Sequence, residues 1–83
     1  MSRPVKRSLT LRQHRTSVSL ENEFWAAFRE IAEEQGRAIN ELAAEIDASR
    51  DMETGLATAI RLYVLAHYRQ LAAHRRDTDV TPT

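Results

Sequence analysis

The chain has 83 residues, of which 42% are hydrophobic and 29% charged, as expected of one small soluble globular domain. Its 12 basic and 12 acidic residues cancel, it has no cysteine for a disulfide, and no run of apolar residues is long enough to predict a membrane span. A domain this small buries too little apolar surface on its own to form a large core. Association with a second copy would bury more, and we therefore expect a homodimer.

The N-terminal segment is strongly basic. Residues 1–20 carry five basic residues and no acid, whereas residues 21–53 carry ten acids against three arginines. A cationic segment on a neutral chain fits a partner with phosphates better than a small neutral ligand. The alternative is a solvated, disordered N-terminus, and charge alone does not separate the two. We predict a basic arm over residues 1–14, a folded domain over 15–76 and a disordered tail over 77–83.

The first predicted element is a short strand over residues 15–20. Its side chains alternate strictly, with Thr16, Val18 and Leu20 on one face and Arg15, Ser17 and Ser19 on the other. Leu9 and Leu11 also alternate with polar residues but with opposite parity, so a turn or bulge is expected near Gln13-His14. Since residues 21 to about 74 have helical periodicity, the strand has no predicted partner in the chain. We expect it to pair with its own copy across a two-fold axis of a homodimer.

Three helices are predicted after the strand. The first covers about residues 22–35 and is followed by Gly36 at the position of a left-handed C-terminal cap. The second covers residues 39–49, and the third begins near Asp51 or Thr54, both suitable N-caps. The third helix has two apolar stripes, which one neighbour could not cover and which again favour a dimer. These stripes are Leu56, Ile60, Tyr63, Val64, His67 and Leu71, and Ala59, Leu62 and Ala66.

This order of elements resembles the ribbon-helix-helix (Arc- and methionine-repressor-like) family of bacterial and phage DNA-binding regulators. The matching stretch runs from Arg15-Thr-Ser-Val-Ser-Leu20 into the first helix, and through Glu33-Glu-Gln-Gly-Arg-Ala-Ile-Asn40 into the second. The resemblance covers residues 15–50, and an extra C-terminal helix extends it to about residue 72. It implies a mainly α fold with one short strand and three helices. The expected dimer core is Thr16, Val18, Leu20, Phe24, Phe28, Ile31, Leu42 and Ile46.

The resemblance also implies that an antiparallel ribbon of two strands enters the major groove of DNA. By strand parity, the side chains expected to contact bases are Arg15, Ser17 and Ser19. Arginine pairs bidentately with guanine, whereas serine both donates and accepts, so Arg15 should carry most of the direct readout. The alternative for the two serines is a polar, solvent-facing side of an edge strand.

Members of the family also hold a DNA phosphate at the start of the second helix, where free N–H groups and the helix dipole attract anions. Here Arg37 and Asn40 are the expected contacts, and a local capping role is the alternative for Asn40. Two departures weaken this site, because Ala38 replaces the usual serine or threonine and Glu41 would repel a phosphate. The other expected phosphate contacts are Lys6, Arg7 and Arg12.

No catalytic or metal-binding motif is present. The chain lacks G-x-S-x-G, a glycine-rich phosphate loop and H-E-x-x-H, and no acid completes a metal set with its histidines. We therefore expect no enzymatic activity and no cofactor, and predict a sequence-specific regulator in the bacterial cytoplasm. One alternative is an antitoxin-like or other interaction module whose third helix binds a second protein. A transit-peptide interpretation of residues 1–20 is disfavoured by their period-two alternation.

Overall fold

The computed structural model describes residues 2–79, which form two strands followed by three helices. This arrangement confirms the predicted mainly α, ribbon-helix-helix fold class, and the first two helices lie where their periodicity predicts them. The elements are β1 (Val5–Leu11), β2 (His14–Leu20), α1 (Asn22–Glu34), α2 (Ile39–Ser49) and α3 (Leu56–Asp79).

Strand β1 was not predicted. It pairs antiparallel with β2 in the same chain, in a register that runs from Val5 opposite Leu20 to Leu11 opposite His14. The expectation that β2 has no partner within the chain is therefore corrected. The backbone N–H and C=O groups along one edge of β2 pair with residues 5–11, which lie within the predicted basic arm.

A two-residue turn joins the strands and explains their opposite parities. Arg12 and Gln13 have φ angles of 47° and 78°, and positive φ at both central residues is typical of the type I′ turns of β hairpins. The turn lies one residue before the predicted position. Because it reverses the chain, odd-numbered leucines of β1 share a face with even-numbered residues of β2. This inner face carries the buried side chains Leu9, Leu11, Val18 and Leu20.

The inner face of the hairpin and the three helices enclose a single core. Most side chains predicted for the dimer core are already buried within one chain: Val18, Leu20, Phe28, Ile31, Leu42 and Ile46. Phe24 is partly buried against them. Thr16 lies on the inner face but is exposed, and α2 packs against β1 rather than against the strand that carries it.

Helix α1 ends at the predicted glycine. Gly36 has a φ of 64°, its N–H donates to the carbonyl of Glu33 at 3.0 Å, and the Arg37 N–H donates to the carbonyl of Ala32 at 2.9 Å. These two bonds are a Schellman motif, which requires the left-handed conformation that glycine adopts without strain.

Gly36→Ala is expected to destabilise the protein by about 1 kcal/mol, because a Cβ in the left-handed region is strained. An added Cβ at this position meets no atom within 4 Å, so the cost is conformational rather than steric. Gln13→Gly is the matched opposite change and is expected to stabilise the hairpin, since Gln13 already has a positive φ. Urea unfolding of both variants measures the difference. Equal stabilities would contradict the left-handed geometry at these two positions.

Helix α3 begins later than predicted. Residues 51–54 form a turn in which the Thr54 N–H donates to the carbonyl of Asp51 at 3.0 Å. Arg50 holds this turn, because its Nη1 donates to the carbonyl of Thr54 at 2.8 Å. Asp51 and Thr54 therefore belong to the loop and are not helix caps, and the first turn of α3 starts from the carbonyl of Gly55.

The helix continues to Asp79, past the domain boundary predicted at residue 76. The remainder of the predicted tail, residues 80–83, lies outside the described residues. Among the residues described, no helix combines the length and the hydropathy that crossing a membrane requires.

Candidate nucleic-acid interface

The face of the hairpin opposite the helices is a continuous polar surface, which we call the outer face. Its six side chains form three cross-strand pairs, all six are exposed, and none is acidic. The three residues predicted to contact bases lie together on it, each beside a partner from β1. The pairs are Lys6 with Ser19, Ser8 with Ser17, and Thr10 with Arg15.

The dimensions and chemistry of the outer face suit a nucleic-acid groove. Two strands about 4.8 Å apart form a ribbon that the major groove, roughly 12 Å wide, admits. Four hydroxyl groups can each donate or accept a hydrogen bond. The two cations, Lys6 and Arg15, can donate to the acceptor atoms of guanine.

Two arginines attach the hairpin to the helices. Arg61 of α3 donates from Nε to one carboxylate oxygen of Glu21 at 3.0 Å, and from Nη2 to the other oxygen and to the Ser19 carbonyl at 3.2 Å each. Arg7 lies on the inner side, where it donates to the Asn22 side chain and stacks over Trp25 at 5.4 Å from the ring centroid. The hairpin is therefore fixed relative to α1 and α3 by charged side chains as well as by the core.

The Arg61–Glu21 pair predicts a pH dependence of folding. Hydrogen bonds from the Arg61 guanidinium lower the pKa of Glu21. A carboxyl group with a lower pKa in the folded than in the unfolded state adds stability above its unfolded value of about 4.3, and this is lost as the pH falls through the folded pKa. Arg61→Gln is therefore expected to destabilise the protein at pH 7 and much less at pH 3. Urea unfolding at both values measures this, and Arg69→Gln is the control on an exposed part of α3. A loss of the same size at both pH values would assign the effect of Arg61 to packing.

A pocket beside the hairpin turn gathers three of the five predicted phosphate contacts. It has a volume of about 380 Å³ and lies at the start of α2. Arg12, Arg37 and Asn40 line it together with Thr10, Glu41, Ala44 and Glu45. The other two predicted contacts lie elsewhere, since Lys6 is on the outer face and Arg7 is held on the inner side.

Two of the predicted phosphate contacts in this pocket, Arg37 and Asn40, already have partners in the protein. Arg37 forms an ion pair with Glu45, which raises the pKa of Arg37 and lowers that of Glu45. Asn40 accepts a hydrogen bond from the backbone N–H of Thr10 at 3.1 Å. It therefore joins α2 to β1, and no side chain caps α2 at Ala38. A phosphate here would meet Arg12, the first N–H groups of α2, and an Arg37 that exchanges its carboxylate for the anion.

Of the three outer-face residues that β1 contributes, sequence reasoning missed Ser8 and Thr10 and expected Lys6 at a phosphate rather than on this face. The alternation of residues 8–12 was visible, but pairing within the chain depends on a turn at Arg12-Gln13, and this dipeptide lacks the glycine or asparagine that usually marks a type I′ turn. Across the described part of the chain, no group of three or more His, Asp or Glu side chains could hold a metal ion.

The segment that contains the hairpin and the first two helices matches a known protein family. A family model described as a ribbon-helix-helix domain matches residues 4–68, a range that includes both strands, α1, α2 and the first half of α3. No curated protein and no solved structure matches the chain.

Proposed function

We propose that this chain, which belongs to the ribbon-helix-helix family, is a sequence-specific transcription regulator that inserts its β hairpin into the major groove of DNA. The family consists generally of DNA-binding regulators and antitoxins, and its fold is not enzymatic. The observation that carries the proposal is the outer face, where Arg15, Ser17 and Ser19 are exposed with no acidic side chain among them.

In this proposal the outer face and the pocket at α2 have different roles. Arg15 donates to guanine, and the serines add contacts that adapt to the neighbouring bases. Arg12, Arg37 and Asn40 fix the position of the protein on the sugar-phosphate backbone. The position of the pocket beside the hairpin turn supports this division, since a ribbon in a groove is flanked by phosphates.

Selection of bound duplexes from a random pool tests the proposal directly. We expect one enriched motif, with an affinity that falls linearly in log salt concentration because phosphate contacts release counterions. Equal binding of all duplexes would reduce the protein to a general DNA binder. No binding at 50 mM salt would remove the DNA function.

We further propose a homodimer that forms through α3. The strand pairs within the chain, so we base the dimer on two exposed leucines of α3, Leu62 and Leu65, which are 55% and 51% exposed. Ribbon-helix-helix domains typically dimerise, and exposed leucines at helical spacing are a usual means of helix pairing.

Sedimentation at micromolar concentration should give about twice the chain mass of 9.5 kDa. Leu62→Glu with Leu65→Glu is expected to give folded monomers, since neither side chain belongs to the core of the single chain. Thr58→Glu is the control at an exposed polar position of the same helix. A wild-type protein of 9.5 kDa under these conditions would contradict the dimer.

The same leucines favour a second candidate, an antitoxin-like protein that binds another protein through α3. Tyr68 and Leu71, 39% and 42% exposed, extend the uncovered apolar surface further along this helix. DNA binding and protein binding would then use different surfaces, the outer face of the hairpin and the exposed apolar side chains of α3. A chain that stays monomeric while it binds a selected duplex would favour this candidate over the homodimer.

A further inference from the structure

The two strands of the hairpin are near-repeats of one another. Residues 5–11, Val-Lys-Arg-Ser-Leu-Thr-Leu, align without gaps with residues 14–20, His-Arg-Thr-Ser-Val-Ser-Leu. Period-two alternation accounts for polar residues matching polar ones. Each strand contributes three residues, a triplet, to the outer face. Alternation does not require that the single cation is the first residue of both triplets, or that the central residue of both is serine. The matched pairs are Lys6 with Arg15, Ser8 with Ser17, Leu9 with Val18, Thr10 with Ser19, and Leu11 with Leu20.

In the register of the hairpin, the two repeats are related by a local two-fold axis. Ser8 lies directly opposite Ser17 in the ladder. Since these residues are also equivalent in the repeat, a two-fold axis passes between them, perpendicular to the outer face. Rotation about it exchanges Lys6 with Arg15, which lie at diagonally opposite ends of the ribbon. Four residues separate them along the strands, which is about 14 Å or about four base-pair steps.

Hydrogen bonds from the helices hold the main chain of the hairpin at two residues that are equivalent in the repeat. Thr10 and Ser19 are matched residues, and each has its main chain held by a side chain from a different helix. Asn40 of α2 accepts from the Thr10 N–H at 3.1 Å, and Arg61 of α3 donates to the Ser19 carbonyl at 3.2 Å. Both ends of the outer face are therefore fixed against the body of the protein.

A ribbon with a two-fold axis matches a duplex site with the same symmetry, because DNA presents equivalent base edges on either side of its own dyad. In a ribbon built from two chains, that symmetry comes from the dimer. In this protein one chain contains both strands, and the symmetry is approximate because the two triplets differ in sequence.

We propose that one hairpin contacts both halves of a pseudo-palindromic DNA site. Lys6, Ser8 and Thr10 contact one half, and Arg15, Ser17 and Ser19 contact the other. This inference rests on the proposed function, in which the hairpin is the DNA-binding element. It assigns Lys6 to a base contact equivalent to that of Arg15, where the charge pattern alone had placed it against a phosphate. The two halves differ in stringency, because lysine contacts guanine as a point charge and arginine as a bidentate fork. A homodimer formed through α3 would carry two hairpins and contact two such sites.

Selection from a random duplex pool with five proteins tests the inference. Wild type is expected to enrich a motif with two related halves. Lys6→Ala and Arg15→Ala should each relax base preference by about 5- to 150-fold in one half only, and in opposite halves. Lys6→Arg should make the halves more alike and favour the perfect palindrome. Arg3→Ala, which precedes β1, is the control that weakens all duplexes while the motif is kept, and circular dichroism verifies the fold of each protein.

Two outcomes would overturn the inference while the proposed function stands. If Lys6→Ala weakens all duplexes alike and the motif is unchanged, Lys6 contacts a phosphate and β1 does not contact bases. If Arg15→Ala relaxes both halves equally, each half is contacted by Arg15 of a separate chain and the symmetry belongs to the dimer. If wild type enriches no motif, the proposed function and the inference fail together.

Discussion

Val18→Asp is expected to unfold the protein at 25 °C. Val18 is 4% exposed and lies on the inner face of the hairpin within the core. A carboxylate there is buried among apolar side chains, and the cost of several kcal/mol is comparable with the whole stability of a domain of this size. Far-ultraviolet circular dichroism should show loss of helical signal and of the cooperative thermal transition.

Two further variants make this prediction specific. Arg7 lies opposite Val18 in the ladder, where its charge would partly neutralise the aspartate of Val18→Asp. A second buried position without a basic neighbour is therefore needed. Leu20→Asp faces Val5 and has no basic residue opposite, so it should unfold the protein as completely. Ser17→Asp introduces the same charge one residue away on the outer face and should leave the melting temperature within a few degrees of wild type. A Val18→Asp protein that melts cooperatively at the wild-type temperature would show that the phase of β2 is wrong.

Arg15→Ala is expected to cost about 1–3 kcal/mol of binding free energy on the preferred sequence. Arg15 is exposed on the outer face, so its loss removes direct readout without affecting the core. Discrimination between the preferred and a scrambled duplex should fall by the same amount. Titration of both duplexes at several salt concentrations measures the two effects.

The matched control is Arg12→Asn, which removes a charge at the turn while keeping a residue that tolerates positive φ. As a phosphate contact, Arg12 should contribute equally to all sequences, and its loss should reduce the slope of log affinity against log salt by about one. Should Arg15→Ala weaken both duplexes equally, Arg15 contacts only phosphate and the outer face does not determine sequence.

The elements found from sequence are those whose signals are local. Apolar spacing located α1 and α2, and Gly36 marked the end of α1, because helix periodicity and a left-handed cap depend on neighbouring residues alone. Parity likewise put Arg15 and both serines of β2 on one face. These features needed no knowledge of what packs against the hairpin.

The features that sequence reasoning missed depend on contacts distant along the chain or on unusual turn residues. β1 was hidden because a turn of Arg12 and Gln13 carries none of the usual signals. Residues 51–54 have the sequence of a helix start, but the hydrogen bond from Arg50 to the Thr54 carbonyl holds them in a loop. The pairing of Arg37 with Glu45 joins a loop to the second turn of α2, and no periodicity indicates it.

The two-residue connection between β1 and β2 also determines the order of events in folding. A ribbon assembled from strands of two chains forms in a bimolecular step, at a rate that falls with dilution. Here the strands are adjacent, so the ladder closes over the shortest possible loop, on the microsecond timescale of isolated hairpins. Formation of the ribbon is consequently a first-order step at any protein concentration, and association of chains follows it rather than creating it.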